Sequence, residues 1–188
     1  MSLGDGTAAL IVIDVQKAID HPSHGERNNL QAENNMAALL RAWRDTGRPI
    51  YHIRHDSVEP ESHYRPGQPG NEFEPEVRPL SGEVVIAKQT NSAFIGTDLE
   101  ARLRQAGQKV LIVTGVITNN CVEATVRMAG NLGFETYLVE DAAFTFGRKD
   151  WNGTWRTAEE VHAMSLANLD REFCTVVVTN EVLEAVGR

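Results

Sequence analysis

Short apolar runs alternate with longer amphipathic stretches along the whole chain. Ala8-Ala9-Leu10-Ile11-Val12-Ile13 and Val110-Leu111-Ile112-Val113 are unbroken, the pattern of strands buried on both faces. Four further strands are predicted at Ile50–Ile53, Val84–Ile86, Phe134–Val139 and Phe173–Thr179. Between them apolar residues recur at helical spacing. Leu30, Met36, Leu39, Leu40 and Trp43 mark a helix over 28–43, and Leu99 and Leu103 one over 95–106 with Thr97 as its N-cap. Val122, Thr125, Val126 and Ala129 mark a third, Glu159 to Asp170 reads as a fourth, and a short tail helix closes the chain.

Strands alternating with helices predict an α/β fold: a three-layer, doubly wound sheet of about six mostly parallel strands, order 3-2-1-4-5-6, in one domain spanning 1–188. Ligands of such sheets bind outside the carboxyl ends of the strands, where the winding reverses. Asp14, ending the first strand, and Cys121, just after the fourth, both fall there. Lys88 ends the third strand on the same rim, about 10 Å from the first at ordinary strand spacing. A thiol at the first turn of a helix is expected to favour thiolate; the competing reading is an ordinary buried cysteine. For Lys88 the competing reading is a rim lysine reaching into solvent.

The turn Asp14-Val15-Gln16-Lys17-Ala18 has no glycine to admit a pyrophosphate, which excludes a dinucleotide site, and no P-loop is present. The net charge of -8 argues against nucleic acid or an anionic membrane as partner. No apolar run approaches the roughly 18 residues that span a bilayer. No basic segment followed by an apolar one opens the chain, so a cytoplasmic location is expected. Two distant cysteines make no disulfide framework. Met1-Ser2-Leu3 is assigned no function.

Three blocks together resemble the isochorismatase-like cysteine hydrolase superfamily, nearly end to end. They are Ile11-Val12-Ile13-Asp14-Val15-Gln16, then Lys88 with Ser92-Ala93-Phe94, then Gly115-Val116-Ile117-Thr118-Asn119-Asn120-Cys121-Val122 followed by Ala124-Thr125-Val126-Arg127. The resemblance implies the fold already predicted and a catalytic triad of Asp14, Lys88 and Cys121. It also implies a cis peptide at Val116–Ile117, which would aim the Ile117 N–H beside that of Cys121 as an oxyanion hole, with Thr118 bracing the turn. The implied chemistry is nucleophilic acyl transfer from a small-molecule amide or ureide through a thioester. Family members that cleave the vinyl ether of isochorismate tend to lack the cysteine, so Cys121 favours C–N hydrolysis. Nicotinamidases of the family bind a metal through an Asp-x-His pair. His52-Ile53-Arg54-His55-Asp56-Ser57, with His63 further on, lacks that order. No metal and no cofactor are therefore expected, and nicotinamide is disfavoured.

Substrate choice is expected in two irregular segments. The first runs from His55 to Gly82 with five prolines and three glycines, too long for a routine connection and so either functional or disordered. Gln16, Arg54, His55, Tyr64, Arg65 and Phe94 are the pocket candidates. Arg54 or Arg65 would pair with a substrate carboxylate or simply be solvated, and Phe94 would wall the pocket or pack in the core. In the second segment, 143–157, Trp151 and Trp155 either cover the site or bury a contact between copies. The contact is favoured, giving a homo-oligomer, dimer or tetramer. His162 reads as a structural hydrogen-bonding residue and Cys174 as buried and inert. Two other readings stand beside the hydrolase: a binding protein that keeps the fold, and a thiol-redox protein, which would need a resolving cysteine near Cys121.

Overall fold

Every residue of β1 (Ala8–Ile13) is buried, as a strand covered on both faces must be. The computed structural model describes Leu3 and residues 7–187; Met1 and Ser2 of the leading tripeptide lie outside the described residues. After β1 come α1 (Ala32–Asp45), β2 (Ile50–His55), β3 (Val84–Lys88), α2 (Leu99–Gln105), β4 (Val110–Val116) and α3 (Glu123–Asn131). Then follow β5 (Glu135–Phe144), a small hairpin of β6 (Arg148–Lys149) and β7 (Trp155–Arg156), α4 (Ala158–Leu169), β8 (Thr175–Val177) and α5 (Thr179–Val186). Six strands pair in parallel in the order β3-β2-β1-β4-β5-β8. This is the predicted doubly wound sheet, with β8 as its sixth strand.

Alternate residues of β1 feed two separate cores. Leu10 and Val12 pack with Met36, Leu39, Leu40 and Trp43 of α1 and Val182 of α5. Ile11 and Ile13 pack with Leu99 and Leu103 of α2, Val126 and Ala129 of α3 and Leu169 of α4. The buried Trp43 indole donates to the Ala8 carbonyl at 3.2 Å, pinning α1 to the central strand.

Glycine at 115 is required by the way β4 meets β1. Its φ is 121°, and a Cβ there would lie 2.2 Å from the Ile13 carbonyl oxygen. Only a residue without a side chain lets the two strands close just before the switch point.

Several predicted boundaries move, each for a polar reason. The first helix starts at Ala32 rather than at 28 because Asn29, at φ 45°, uses its amide on the Glu140 and Ala143 carbonyls at 2.8 and 2.7 Å. Leu30 is 73% exposed, not on the apolar face. α2 begins at Leu99 rather than at 95, and Thr97 holds its start from outside: the hydroxyl accepts from the Leu99 N–H at 3.4 Å and donates back to the Ala93 carbonyl at 2.5 Å. β5 runs on past Val139 to Phe144 through a register shift. The last strand ends at Val177, since Thr179 turns into α5 with its N–H and hydroxyl on Asp141 Oδ1 at 2.8 and 2.7 Å. The segment after His55 is folded onto the rim: Glu74 N–H donates to the Val15 carbonyl at 3.1 Å, and Val77 is fully buried. Trp151 and Trp155 stand exposed on the β6–β7 hairpin. Among the described residues no helix is long and apolar enough to cross a membrane.

Candidate active site

Three strand ends build the site. Asp14 leaves β1 at φ 54°, a region seldom used outside glycine, with its N–H fixed on the Ile53 carbonyl of β2 at 3.0 Å. Lys88 is the last residue of β3, and both it and Asp14 are almost fully buried. Cys121 sits in a wide five-residue turn, Thr118–Val122, between β4 and α3. The turn closes on one carbonyl: Ile117 accepts from the N–H groups of Asn120 at 3.0 Å and Val122 at 3.4 Å. The Val116–Ile117 peptide is cis. The Ile117 N–H has no partner among the described residues.

Lys88 joins the three. Its ammonium is 2.6 Å from Asp14 Oδ2, 3.4 Å from Cys121 Sγ, 3.1 Å from the Thr90 carbonyl and 3.2 Å from His55 Nδ1. The other carboxylate oxygen, Asp14 Oδ1, is buried without a well-aligned partner among the described residues. The thiol lies close enough to Asp14 for each to influence the other's titration. Burial raises the Asp14 carboxyl to about 6, outweighing the opposing pull of Lys88. Burial, and next the Asp14 charge, push the Cys121 thiol up to about 12, while Lys88 pulls the other way. The expected bias toward thiolate is therefore corrected. Cys121 does lie in the first, wide helical turn leading into α3, but burial beside the Asp14 carboxylate raises its thiol there.

The turn is braced from two sides. Thr118 Oγ1 lies 2.9 Å from Nδ1 of the buried His162. Thr125 Oγ1 donates to the Cys121 carbonyl at 2.7 Å and accepts from the Ala93 N–H at 3.0 Å. That second bond gives the Ser92-Ala93-Phe94 block its role: it ties the loop after β3 to the helix behind the thiol.

The pocket candidates separate. His55 and Tyr64 join the site. The Tyr64 ring meets His55 edge-on at 5.8 Å, and its phenol is pushed up by burial and then by Asp14 and Cys121. Gln16 is fully buried and serves the backbone instead, donating to the His55 and Asn71 carbonyls at 3.1 and 3.0 Å and accepting from the His55 N–H at 2.7 Å. Arg54 is held by Asp56 through bonds of 2.8 and 3.0 Å, so its charge is already matched. Arg65 is exposed and donates to the Pro60 carbonyl at 2.8 Å. Phe94 is half-buried, packed against the edge of the core and stacked on Phe134 at 6.0 Å. Cys174 is buried, and both cysteines are free.

Other residues at the site carry no sequence signal of their own. Asn91 Oδ1 is 3.9 Å from the thiol. A cavity of about 330 Å³ is lined by Ile117, Asn119, Asn120, Phe146, Arg148 and Lys149, among others. Only the position of 146–149 just beyond β5, on the same rim, could have pointed to it. A larger cavity of about 780 Å³ lies between α4 and the hairpin and contains none of Asp14, Lys88 and Cys121. Among the described residues no group of three or more His, Cys, Asp or Glu side chains is arranged to hold a metal ion.

A doubly wound parallel sheet with polar side chains gathered at its switch point defines a broad class of α/β proteins with rim sites. Within that class, residues 8–181 match the family described as Isochorismatase domain. A crystal structure of an isochorismatase-family protein from Chromobacterium violaceum superposes with a TM-score of 0.97 at 60% identity, covering 100% of this chain and 97% of that one. The isochorismatase family protein YrdC of Bacillus subtilis is 43% identical over 175 residues, 93% of this chain and 94% of that protein. Nicotinamidase 3 of Arabidopsis thaliana is 31% identical over 90% of this chain and 84% of its own length. The chain belongs to the isochorismatase family of hydrolases.

Proposed function

We propose that this hydrolase cleaves the C–N bond of a small amide or ureide through a thioester on Cys121. The observation that carries the reading is the Lys88 ammonium in contact with both Asp14 and Cys121, with the Asp14 carboxylate close enough to the thiol to share its titration. Asp14 accepts the thiol proton as sulfur attacks the carbonyl carbon. The thiolate is costly at rest, so proton transfer accompanies C–S bond formation. The N–H groups of Ile117 and Cys121 receive the oxyanion; one such donor is typically worth about 3–4 kcal/mol of barrier. On collapse the C–N bond breaks and the departing nitrogen takes the proton from Asp14. Water then attacks the thioester, giving a proton to Asp14; the C–S bond breaks, and the proton returns to sulfur.

The name of the Arabidopsis relative, a nicotinamidase, supports an amide substrate class. The missing Asp-x-His order in 52–57 disfavours nicotinamide itself and a bound metal. A panel of amides and ureides scored by ammonia release, with Cys121→Ala beside the wild type, tests the proposal. Release from at least one substrate and none from the variant is expected. Full activity of Cys121→Ala would sink the covalent scheme.

A further inference from the structure

His55 ends β2, and its register partner on β3 is Lys88 itself. The two side chains meet at the rim, with His55 Nδ1 3.2 Å from Lys88 Nζ. An ammonium has donors only, so the nitrogen facing it must offer a lone pair, which puts the ring proton on Nε2. Burial and the Lys88 charge both keep the ring neutral, lowering it to about 4, with Asp56 opposing.

The His55 backbone is fixed to an unusual degree. Its carbonyl accepts from Gln16 at 3.1 Å and from Asn71 at 3.0 Å, and its N–H donates to Gln16 Oε1 at 2.7 Å. Gln16 follows the turn that carries Asp14, and Asn71 belongs to the segment folded over the rim. The ring is then packed edge-on by Tyr64. Such bracing suits a group whose direction matters.

We infer that His55 is a positioning residue: its Nδ1 lone pair holds the Lys88 ammonium between Asp14 and Cys121. Asp14 Oδ2, the Thr90 carbonyl and His55 Nδ1 take the three ammonium hydrogens and fix its position, and Cys121 Sγ, a weak acceptor, lies 3.4 Å from it. Without the histidine the third hydrogen has only the sulfur, too weak an acceptor to fix the ammonium, so Lys88 settles toward Asp14 and the carbonyl and the thiol loses its cation. The inference rests on the proposed Asp14–Lys88–Cys121 chemistry and adds a fourth member to it.

The test reads Cys121 directly, through iodoacetamide alkylation of the intact protein at one mildly alkaline pH, followed by mass spectrometry. His55→Leu, with no acceptor, should slow alkylation by about tenfold or more, the scale of one hydrogen bond to a charged group. His55→Asn, whose amide oxygen falls at the place of Nδ1, should return to within about threefold of wild type. His55→Gln carries its oxygen at the place of Nε2 and should stay slow. Thermal melts of all three verify folding, and if His55→Leu fails to fold, the Asn and Gln variants decide. A His55→Leu rate equal to or above wild type, or equal rates for Asn and Gln, would overturn the inference. Alkylation needs no substrate, so this result stands apart from the ammonia-release test: either can fail while the other holds.

Discussion

Lys88 Nζ approaches Asp14 Oδ2 to 2.6 Å across 74 positions of sequence, and neither side chain is more than 4% exposed. A buried pair of this kind adds little over a well-packed apolar pair, but losing one partner is costly, on the order of 3–5 kcal/mol. Lys88→Met should therefore destabilise the protein by about that amount at neutral pH. The deficit should shrink on acidification, because an unpaired Asp14 takes up a proton. Urea titrations at two pH values check both; an equal deficit at each would show that the lost packing, not the charge, dominates.

The raised Asp14 carboxyl gives activity and stability opposite slopes. In the proposed scheme Asp14 must be ionised to accept the thiol proton, so the acid limb of kcat/KM should have its midpoint near 6. A folded-state value near 6, above the ordinary 3.8, means the native state holds this proton more tightly than the unfolded chain. The group's contribution to stability is then full below about 4 and is lost as pH rises through about 6, a change on the order of 3 kcal/mol. Asp14→Asn should abolish hydrolysis and remove this component from the pH dependence of Tm. An unchanged Tm profile would place the proton elsewhere.

Resting Cys121 should label slowly. With the thiol pushed up to about 12, iodoacetamide alkylation at neutral pH is expected to be slower than for an unperturbed thiol and to climb steadily under alkaline conditions. Slow neutral labelling therefore does not separate a hydrolase from an inert protein with the same fold; the pH profile and the variants do. Rapid labelling at neutral pH would mean that Lys88 outweighs burial.

Gly115→Ala should be among the most damaging single changes. The added methyl combines overpacking against the Ile13 backbone with a φ of 121°, effects of about 1–3 kcal/mol each. A loss of about 3 kcal/mol or more is expected, with activity falling in step. Wild-type melting in this variant would mean that β1 and β4 can separate without cost.

The sheet order was legible because uninterrupted apolar runs at 8–13 and 110–113 admit few alternatives, and which residues end those runs pointed to the candidates the structure brings together. Asp14, Lys88 and Cys121 are all strand-end or post-strand residues. Less visible was anything decided by a distant partner. Leu30 has helical spacing, but Asn29 is taken by carbonyls of β5. Gln16 lies beside Asp14 yet spends its amide on the backbone of β2. Arg54 looks available for an anion until Asp56 folds back on it. The rise of the thiol was hidden for the same reason: sequence places Cys121 near a helix start but does not say that Asp14 will be buried against it.

A thiol kept protonated has a further consequence. Peroxide, like iodoacetamide, reacts with the thiolate, and sulfenic acid formation follows thiolate character and exposure. Cys121, half-buried and held well above neutrality, should survive oxidants that would consume a permanently ionised nucleophile. Under the proposed chemistry, what makes the resting group sluggish also lengthens its working life, with reactivity reserved for the moment a carbonyl lies against it.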